Sequence, residues 1–377
     1  LELGQHNTIE VWLCELIQNA ELNNNASKQL YGIETRVVQN HFEQSKDEIN
    51  PECEHFNWCG GCTVQQLDYQ KQLHYKQKQI SQILDKIGKI KNVDINPIIG
   101  CDKTFFYRNK MEYTFSGNPW YTGDESYDDI IIGLHIPKRF DKILNINQCH
   151  INHQVFNDIL QISKEVTVKE SMPPYDVIKH TGFLRFLVLR IGVHTNQVMV
   201  NLVTAGHKPK IIKPLVDALV NKIPNIRSIV NTINTKKSNI VSGTYKLLYG
   251  EEFINEKIGD YTFKISANSF FQTNSYQVKT LYDYIIKTAG FKKSDIVYDL
   301  YCGTGTIGIY IAQSIKQVYG IEIVEDAIKD AKILSREKYF VNEFVNETKG
   351  AEKINFFEEI ISKIPRLSME IFVVTIV

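Results

Sequence analysis

With 377 residues the chain has room for two or three domains of about 150 residues, and 43% hydrophobic with 23% charged residues excludes a disordered or fibrous polypeptide. No run approaches the ~18 apolar residues of a membrane span and no signal-peptide pattern opens the sequence, so a soluble, cytoplasmic protein is expected. Forty-three basic and forty-three acidic residues cancel, but unevenly: residues 1–50 hold eight acids against three bases, residues 51–350 thirty-one against thirty-seven. A polyanionic partner would therefore be held by local charge on the central body.

Residues 1–50 mix short apolar runs with an Asn-rich break and suggest a small β unit. Three cysteines follow, Cys53, Cys59 and Cys62, in CEHFNWCGGC. From Leu67 to Ile90 the apolar residues Leu73, Ile80, Ile83, Leu84 and Ile87 recur at helical spacing. Between about 104 and 265 the texture is that of strands: KMEYTFS, DIIIGLHI, then FLRFLVLRIGV and QVMVNLVT joined by a short polar connection as a hairpin. Residues 209–223 read as a helix, RSIVNTINT and GDYTFKIS as strands, giving a mixed α+β region. After Ser266 comes an α/β pattern: helix 275–289, strand SDIVYDLY, helix TIGIYIAQSI, strand QVYGIEI, helix EDAIKDAKILSREKY. This is the opening of a doubly wound parallel sheet. Only a short segment remains after Tyr339, so the sheet is expected to be curtailed. The predicted fold class is thus α/β and α+β multidomain, with boundaries at 1–50, 51–265 and 266–377.

Seven cysteines, an odd number scattered over a long chain, argue against a disulfide framework. Thiolates spaced as Cys53-x5-Cys59-x2-Cys62 hold zinc or an iron–sulfur cluster, and spacing alone leaves the two nearly even. A fourth ligand is required: Cys149, in NINQCHIN, is the natural one and Cys101 the competitor.

DLYCGTGTIG, from Asp299 to Gly308, contains GxGxxG after a buried strand and before a helix. Gly303 and Gly305 permit a tight turn that lets the backbone approach a ligand, and Glu322, ending the next strand, could accept hydrogen bonds from ribose hydroxyls. NAD and S-adenosylmethionine both fit. An acid at Asp299 favours the latter, because it suits a cationic amino-acid end and would repel a pyrophosphate. A dehydrogenase would rest on the glycine turn alone, and a radical enzyme is disfavoured because its usual cysteine spacing is CxxxCxxC.

The residues resemble the RNA uracil-C5 (5-methyluridine) methyltransferases, specifically the iron–sulfur branch that modifies 23S ribosomal RNA. The resemblance spans roughly 51–335 and rests on CEHFNWCGGCTVQQLDYQKQL, FYRNKMEYTFS, GLHIPKRFDKILNINQCHI, GFLRFLVLR, ISANSFFQTN and DLYCGTGTIGI. It implies a 4Fe–4S cluster on Cys53, Cys59, Cys62 and Cys149, and S-adenosylmethionine bound by Gln272, Tyr301, Thr306 and Glu322 alongside Asp299, Gly303 and Gly305. It further implies a Rossmann-like S-adenosylmethionine-dependent methyltransferase domain behind an α+β RNA-binding domain, a small β-barrel of the TRAM type before the cluster, and a monomer acting on RNA without a membrane. A transfer-RNA enzyme and a non-catalytic, cluster-containing RNA-binding relative are the alternatives.

Uracil C5 is too poor a nucleophile to attack a methyl sulfonium directly, so a thiolate must first add to C6 and a base must later remove the C5 proton. Family members carry DPPR, then a cysteine in SCNP, then a glutamate, after the second helix of the methyltransferase domain. This sequence has none of them. Cys14, Cys101 and Cys302 are poor substitutes, being respectively a core candidate, a residue before the central domain and part of the glycine turn. The catalytic residues are thus unknown, and the chain is expected to be a fragment or frameshifted product of such an enzyme, or a relative that has lost catalysis. Weaker candidates are Arg108, Lys110, Arg185 and Arg190 for phosphates and Tyr107, Phe270 and Phe271 for base stacking.

Overall fold

The computed structural model describes residues 47–121, 130–322, 327–332, 341–346 and 371–374. The expected N-terminal β unit and Cys14 fall outside the described residues. Helix α1, Tyr69–Gln82, starts at Asp68, whose carboxylate accepts from the Gln70 N–H at 2.9 Å, and loosens into a π-helical turn at Ile83–Ile87. Of its expected apolar stripe only Ile80 is buried, and Ile87 is largely exposed.

A large mixed sheet contains β1 (Lys110–Ser116), β2 (Pro119–Trp120), β3 (Ile131–His135), β4 (Ile143–Asn145), β5 (Leu184–Gly192), β6 (Gln197–Thr204), β7 (Ile226–Ile233) and β8 (Thr244–Gly250). Their order is β2-β4-β3-β1-β5-β6-β7-β8. The hairpin expected from sequence is β5–β6, closing at Gly192 opposite Gln197. β1 lies antiparallel on its other side with Lys110 opposite Arg190. Helix α3, Pro209–Lys222, carries the crossover that lets β7 run parallel to β6.

β5 is buried at all nine positions because both faces are covered. Leu187, Leu189 and Ile191 join the core containing Phe156, Ile159, Leu160, Ile212, Leu215 and Leu219. The first three of these come from helix α2, Gln154–Lys169, which the sequence reading missed. Its buried stripe Phe156, Ile159, Leu160, Ser163 and Thr167 has helical spacing, but Val155, Ile159, Ile162, Val166, Thr167 and Val168 are β-branched and dilute the signal.

Behind the sheet a hairpin of β9 (Phe253–Ile258) and β10 (Tyr261–Ser266) enters a second core with Met199, Val230, Tyr282, Val297, Ile311 and Val318. Helix α4, Ser275–Ala289, ends on Gly290 in the left-handed conformation, then β11 (Ile296–Leu300), helix α5 (Thr306–Ile311) and β12 (Gln317–Glu322) follow. Two strands absent from the sequence reading, β13 (Val341–Asn346) and β14 (Ile371–Val374), extend this unit to an all-parallel sheet ordered β13-β12-β11-β14. The first strand thus has the second on one side and the fourth on the other, the order of a doubly wound fold at its topological switch point. Of the last predicted helix only residues 327–332 are described, and they are helical. Among the described residues no helix is long and apolar enough to cross a membrane.

Candidate functional site

β11 delivers Asp299 to the switch point. Its carboxylate is buried and its Oδ2 accepts the N–H of Gly308 at 3.1 Å, so one oxygen is spent on closing the turn. The turn itself runs through three left-handed residues, Tyr301 (φ +62°), Gly303 (φ +55°) and Gly305 (φ +73°). Glycine tolerates that conformation, whereas Tyr301 adopts it at a conformational cost and is about half exposed. Glu322 Oε2 accepts the Gly303 N–H at 2.9 Å, tying the end of β12 to the turn. Thr306, the first residue of α5, shares a 2.7 Å hydrogen bond with Tyr282 Oη. Asp299, Tyr301, Gly303, Gly305, Thr306 and Glu322 therefore form one continuous loop and strand end. Burial, reinforced by the nearby charges of Asp299 and Glu322, pushes the Cys302 thiol far above its ordinary range, which unfits it as a nucleophile.

Gln272 lies on the loop between β10 and α4, and the structure fixes that loop from several sides. The Asn109 side-chain amide donates to Gln272 O at 2.8 Å, and its backbone N–H donates to Thr273 O at 2.8 Å. The same Asn109 amide donates to Ser275 Oγ at 2.8 Å, and Ser275 Oγ donates to the fully buried Glu256 at 2.6 Å. Arg190 donates to Ser269 O at 2.6 Å, and the hydroxyls of Ser266 and Ser269 donate to Asp330 Oδ2 at 2.8 and 2.5 Å. Nothing in the local sequence announced this network, whose members come from five separate segments.

The cysteines meet in a second feature. Cys53, Cys59, Cys62 and Cys149 line one cavity of about 390 Å³, together with Arg108, Lys110, Arg190, Phe270, Phe271 and Thr273. Cys101 lies elsewhere, its N–H donating to Tyr69 Oη at 2.7 Å and its thiol to Lys103 O at 3.3 Å. The knuckle is drawn against the sheet by the Gly60 N–H, which donates to His135 O at 2.9 Å. A Cβ on Gly60 would stand 2.7 Å from that carbonyl, which is why the CGGC loop needs glycine there. Asn157 clamps Cys149, accepting its N–H at 2.9 Å and donating to its carbonyl at 3.2 Å. The Asn147 N–H donates to His55 Nε2 at 3.0 Å and staples the two cysteine segments together.

Burial raises the thiols of Cys53 and Cys149, and pushes Cys59 up to about 12, its neighbours Cys149 and Cys53 adding to the effect. Among the described residues no group of three or more His, Cys, Asp or Glu side chains is drawn together closely enough to hold a metal ion. The four cysteines line one cavity. In donor chemistry, an all-cysteine set around such a volume fits a polynuclear cluster.

Other candidates separate. Arg185 is buried, lies 4.2 Å over the Tyr175 ring and donates to the carbonyls of Asn234, Lys236 and Ser238, so it braces a loop instead of facing phosphates. Phe271 is core, whereas Phe270 is 41% exposed at the cavity. Arg190, Lys110 and Arg108 do face the cavity; burial pulls the Arg190 guanidinium down to about 10, and Lys110 pairs with Glu112 at 2.5 Å.

A parallel sheet in this order, with an acid and a glycine turn at its switch point and an α+β platform against it, defines a Rossmann-like methyltransferase-type domain fused to a second fold. The family model for tRNA (Uracil-5-)-methyltransferase matches residues 68–344, and the chain belongs to that family. It is 35% identical over 320 residues to an uncharacterized RNA methyltransferase of Chlorobaculum tepidum, covering 81% of this chain and 66% of that protein. It is 39% identical over 306 residues to one of Halalkalibacterium halodurans, covering 81% and 65%. The chain thus spans just under two thirds of the length of these relatives. The crystal structure of Pyrococcus abyssi tRNA (uracil-54, C5)-methyltransferase in complex with S-adenosyl-L-homocysteine superposes with a TM-score of 0.64 at 29% identity, over 81% of this chain and 67% of that one.

Proposed function

We propose that the chain is the cofactor- and RNA-binding body of an S-adenosylmethionine-dependent RNA uracil-C5 methyltransferase acting on 23S ribosomal RNA, with a 4Fe–4S cluster on Cys53, Cys59, Cys62 and Cys149. One observation carries the reading. Phe270, Phe271 and Thr273, the neighbours of Gln272, form a wall of the cysteine cavity, which supports a proposed cofactor contact next to the knuckle and the basic residues.

The cofactor supplies an electrophilic methyl group. On this reading Glu322 accepts from the ribose, Gly303 and Gly305 let the backbone approach, and Asp299 and Gln272 complete the polar wall. A uridine must leave its stack to reach this place, and the exposed Phe270 ring beside Arg108 and Lys110 offers stacking and charge for it. Ribosomal RNA is preferred because of the cysteine set. Transfer RNA is the second reading, favoured by the name of the matching family and by the substrate of the Pyrococcus abyssi enzyme.

Calorimetry of the 377-residue chain should show S-adenosylmethionine or S-adenosylhomocysteine binding and no NAD binding. Glu322→Ala should weaken cofactor binding about ten- to a hundred-fold, roughly 1.5–3 kcal/mol, by removing a charge-assisted hydrogen bond and releasing Gly303. Tight NAD binding without S-adenosylmethionine binding would overturn the assignment.

With labelled S-adenosylmethionine and uridine-containing ribosomal or transfer RNA, this chain alone should form no 5-methyluridine. Of its described cysteines four face the cluster cavity, Cys302 is buried and Cys101 is bonded away from the cavity, so none is poised to add to C6. Turnover abolished by Cys101→Ala would show that a nucleophile was misread as structure. Turnover that appears on adding a segment bearing DPPR and SCNP to this chain would support the whole-enzyme reading.

A further inference from the structure

We propose that Gln65 tunes the reduction potential of the cluster by donating an N–H···S hydrogen bond to Cys62, an inference that rests on the cluster reading above. Gln65 is 9% exposed and follows the knuckle directly in sequence. The Cys53 N–H donates to Gln65 Oε1 at 2.9 Å. A backbone N–H can only donate, so this contact fixes which end of the carboxamide is oxygen and turns the NH2 group the other way. That group, Nε2, lies 3.7 Å from Cys62 Sγ. One side chain thus closes the knuckle, accepting from its first cysteine and donating to its last. The Gly61 N–H makes a comparable contact with Cys59 Sγ at 3.3 Å, but a backbone donor cannot be deleted by substitution.

The electronic consequence follows from the donor. A hydrogen bond to a ligand sulfur draws electron density from the thiolate, lowers its donation to iron and favours the reduced, more negative cluster. The Gln65 carboxamide spans both Cys53 N and Cys62 Sγ. It is a positioning residue for the loop and a tuning residue for the metal, and only the second role changes a potential.

The test uses the full 377-residue chain reconstituted anaerobically, with Gln65→Glu and Gln65→Leu. Glutamate keeps an oxygen for the Cys53 N–H and places a second, anionic oxygen against Cys62 Sγ; leucine removes both polar contacts at similar volume. In a redox titration followed by the visible charge-transfer band, both midpoints should shift negative, the Gln65→Glu midpoint further. Resonance Raman bands of the Fe–S(Cys) stretches should shift upward in both. Variants that keep their iron with an unchanged midpoint and unchanged bands would overturn the proposal. Loss of iron from both variants would overturn it as well, because the amide would then only close the loop. If Gln65→Leu alone loses iron, Gln65→Glu decides. A parent chain that takes up no iron removes the cluster reading itself, which separates that failure from failure of the tuning role.

Discussion

Replacing Cys149 with serine should strip the reconstituted protein of its iron, from about four irons per chain to almost none, while Cys101→Ser leaves the iron in place. The three knuckle cysteines come from one short loop and can supply only three thiolates. The fourth side of the cavity is closed by a residue far along the chain. The structure holds that residue with unusual care: Asn157 grips its N–H and its carbonyl, and the Asn147 N–H, two residues before it, donates to His55 inside the knuckle. Serine keeps the shape but offers a hydroxyl that is a poor ligand for iron, a metal that these sites bind through soft sulfur. Cys101 makes its hydrogen bonds to Tyr69 and Lys103 outside the cavity, so its loss removes no ligand. Metal analysis and visible absorption read the result. Iron retained in Cys149→Ser and lost in Cys101→Ser would invert the assignment, and stoichiometric zinc in the parent would replace the cluster with a structural metal.

What the sequence disclosed, and what it withheld, divides along contact range. The β5–β6 hairpin and strand β1 were legible because each is a run of β-branched and apolar residues bounded by polar turns. The glycine turn was legible because φ above zero at Gly303 and Gly305 demands a residue type that is visible in a string of letters. β13 and β14 were not, since each is short, and β14 pairs with β11, far earlier in the chain.

The candidate site shows the same division. Cys53, Cys59 and Cys62 stand out by spacing and Cys149 was already the natural distant partner by sequence; what only the fold adds is that Cys149 lines their cavity, whose lining does not include Cys101. Arg185 and Arg190 illustrate how little strand periodicity says about partners. Both lie on β5, both are buried, and one braces a loop while the other lines the cavity and holds Ser269. Phe270 and Phe271 both line the cavity, yet Phe271 is also packed into the core while Phe270 is largely exposed, a difference of one residue that no composition argument resolves.

Glu256→Ala should be the most destabilising single substitution outside the hydrophobic cores, at about 3–5 kcal/mol, and should also weaken cofactor binding. Glu256 is fully buried on β9, where a lone carboxylate would be untenable. It is saturated instead: it accepts the Val193 N–H at 2.7 Å, the His194 N–H at 2.9 Å, its neighbour's Lys257 N–H at 2.8 Å and the Ser275 hydroxyl at 2.6 Å. Three of those donors are backbone groups, which cannot be repacked away, so alanine leaves these part-buried N–H groups without their acceptor. The carboxylate thereby joins the tip of the β5–β6 hairpin to the start of α4. From Ser275 the chain of bonds continues through Asn109 to the carbonyl of Gln272, so loss of Glu256 frees the loop that carries a proposed cofactor contact. Glu256→Gln, which retains one oxygen acceptor but turns an NH2 toward N–H donors, should lie between parent and alanine. Urea unfolding gives the first quantity and S-adenosylhomocysteine calorimetry the second. An alanine variant with parental stability would mean that water or side-chain rearrangement satisfies those N–H groups. A variant destabilised but with parental cofactor affinity would mean that Asn109 holds Gln272 without help from the carboxylate.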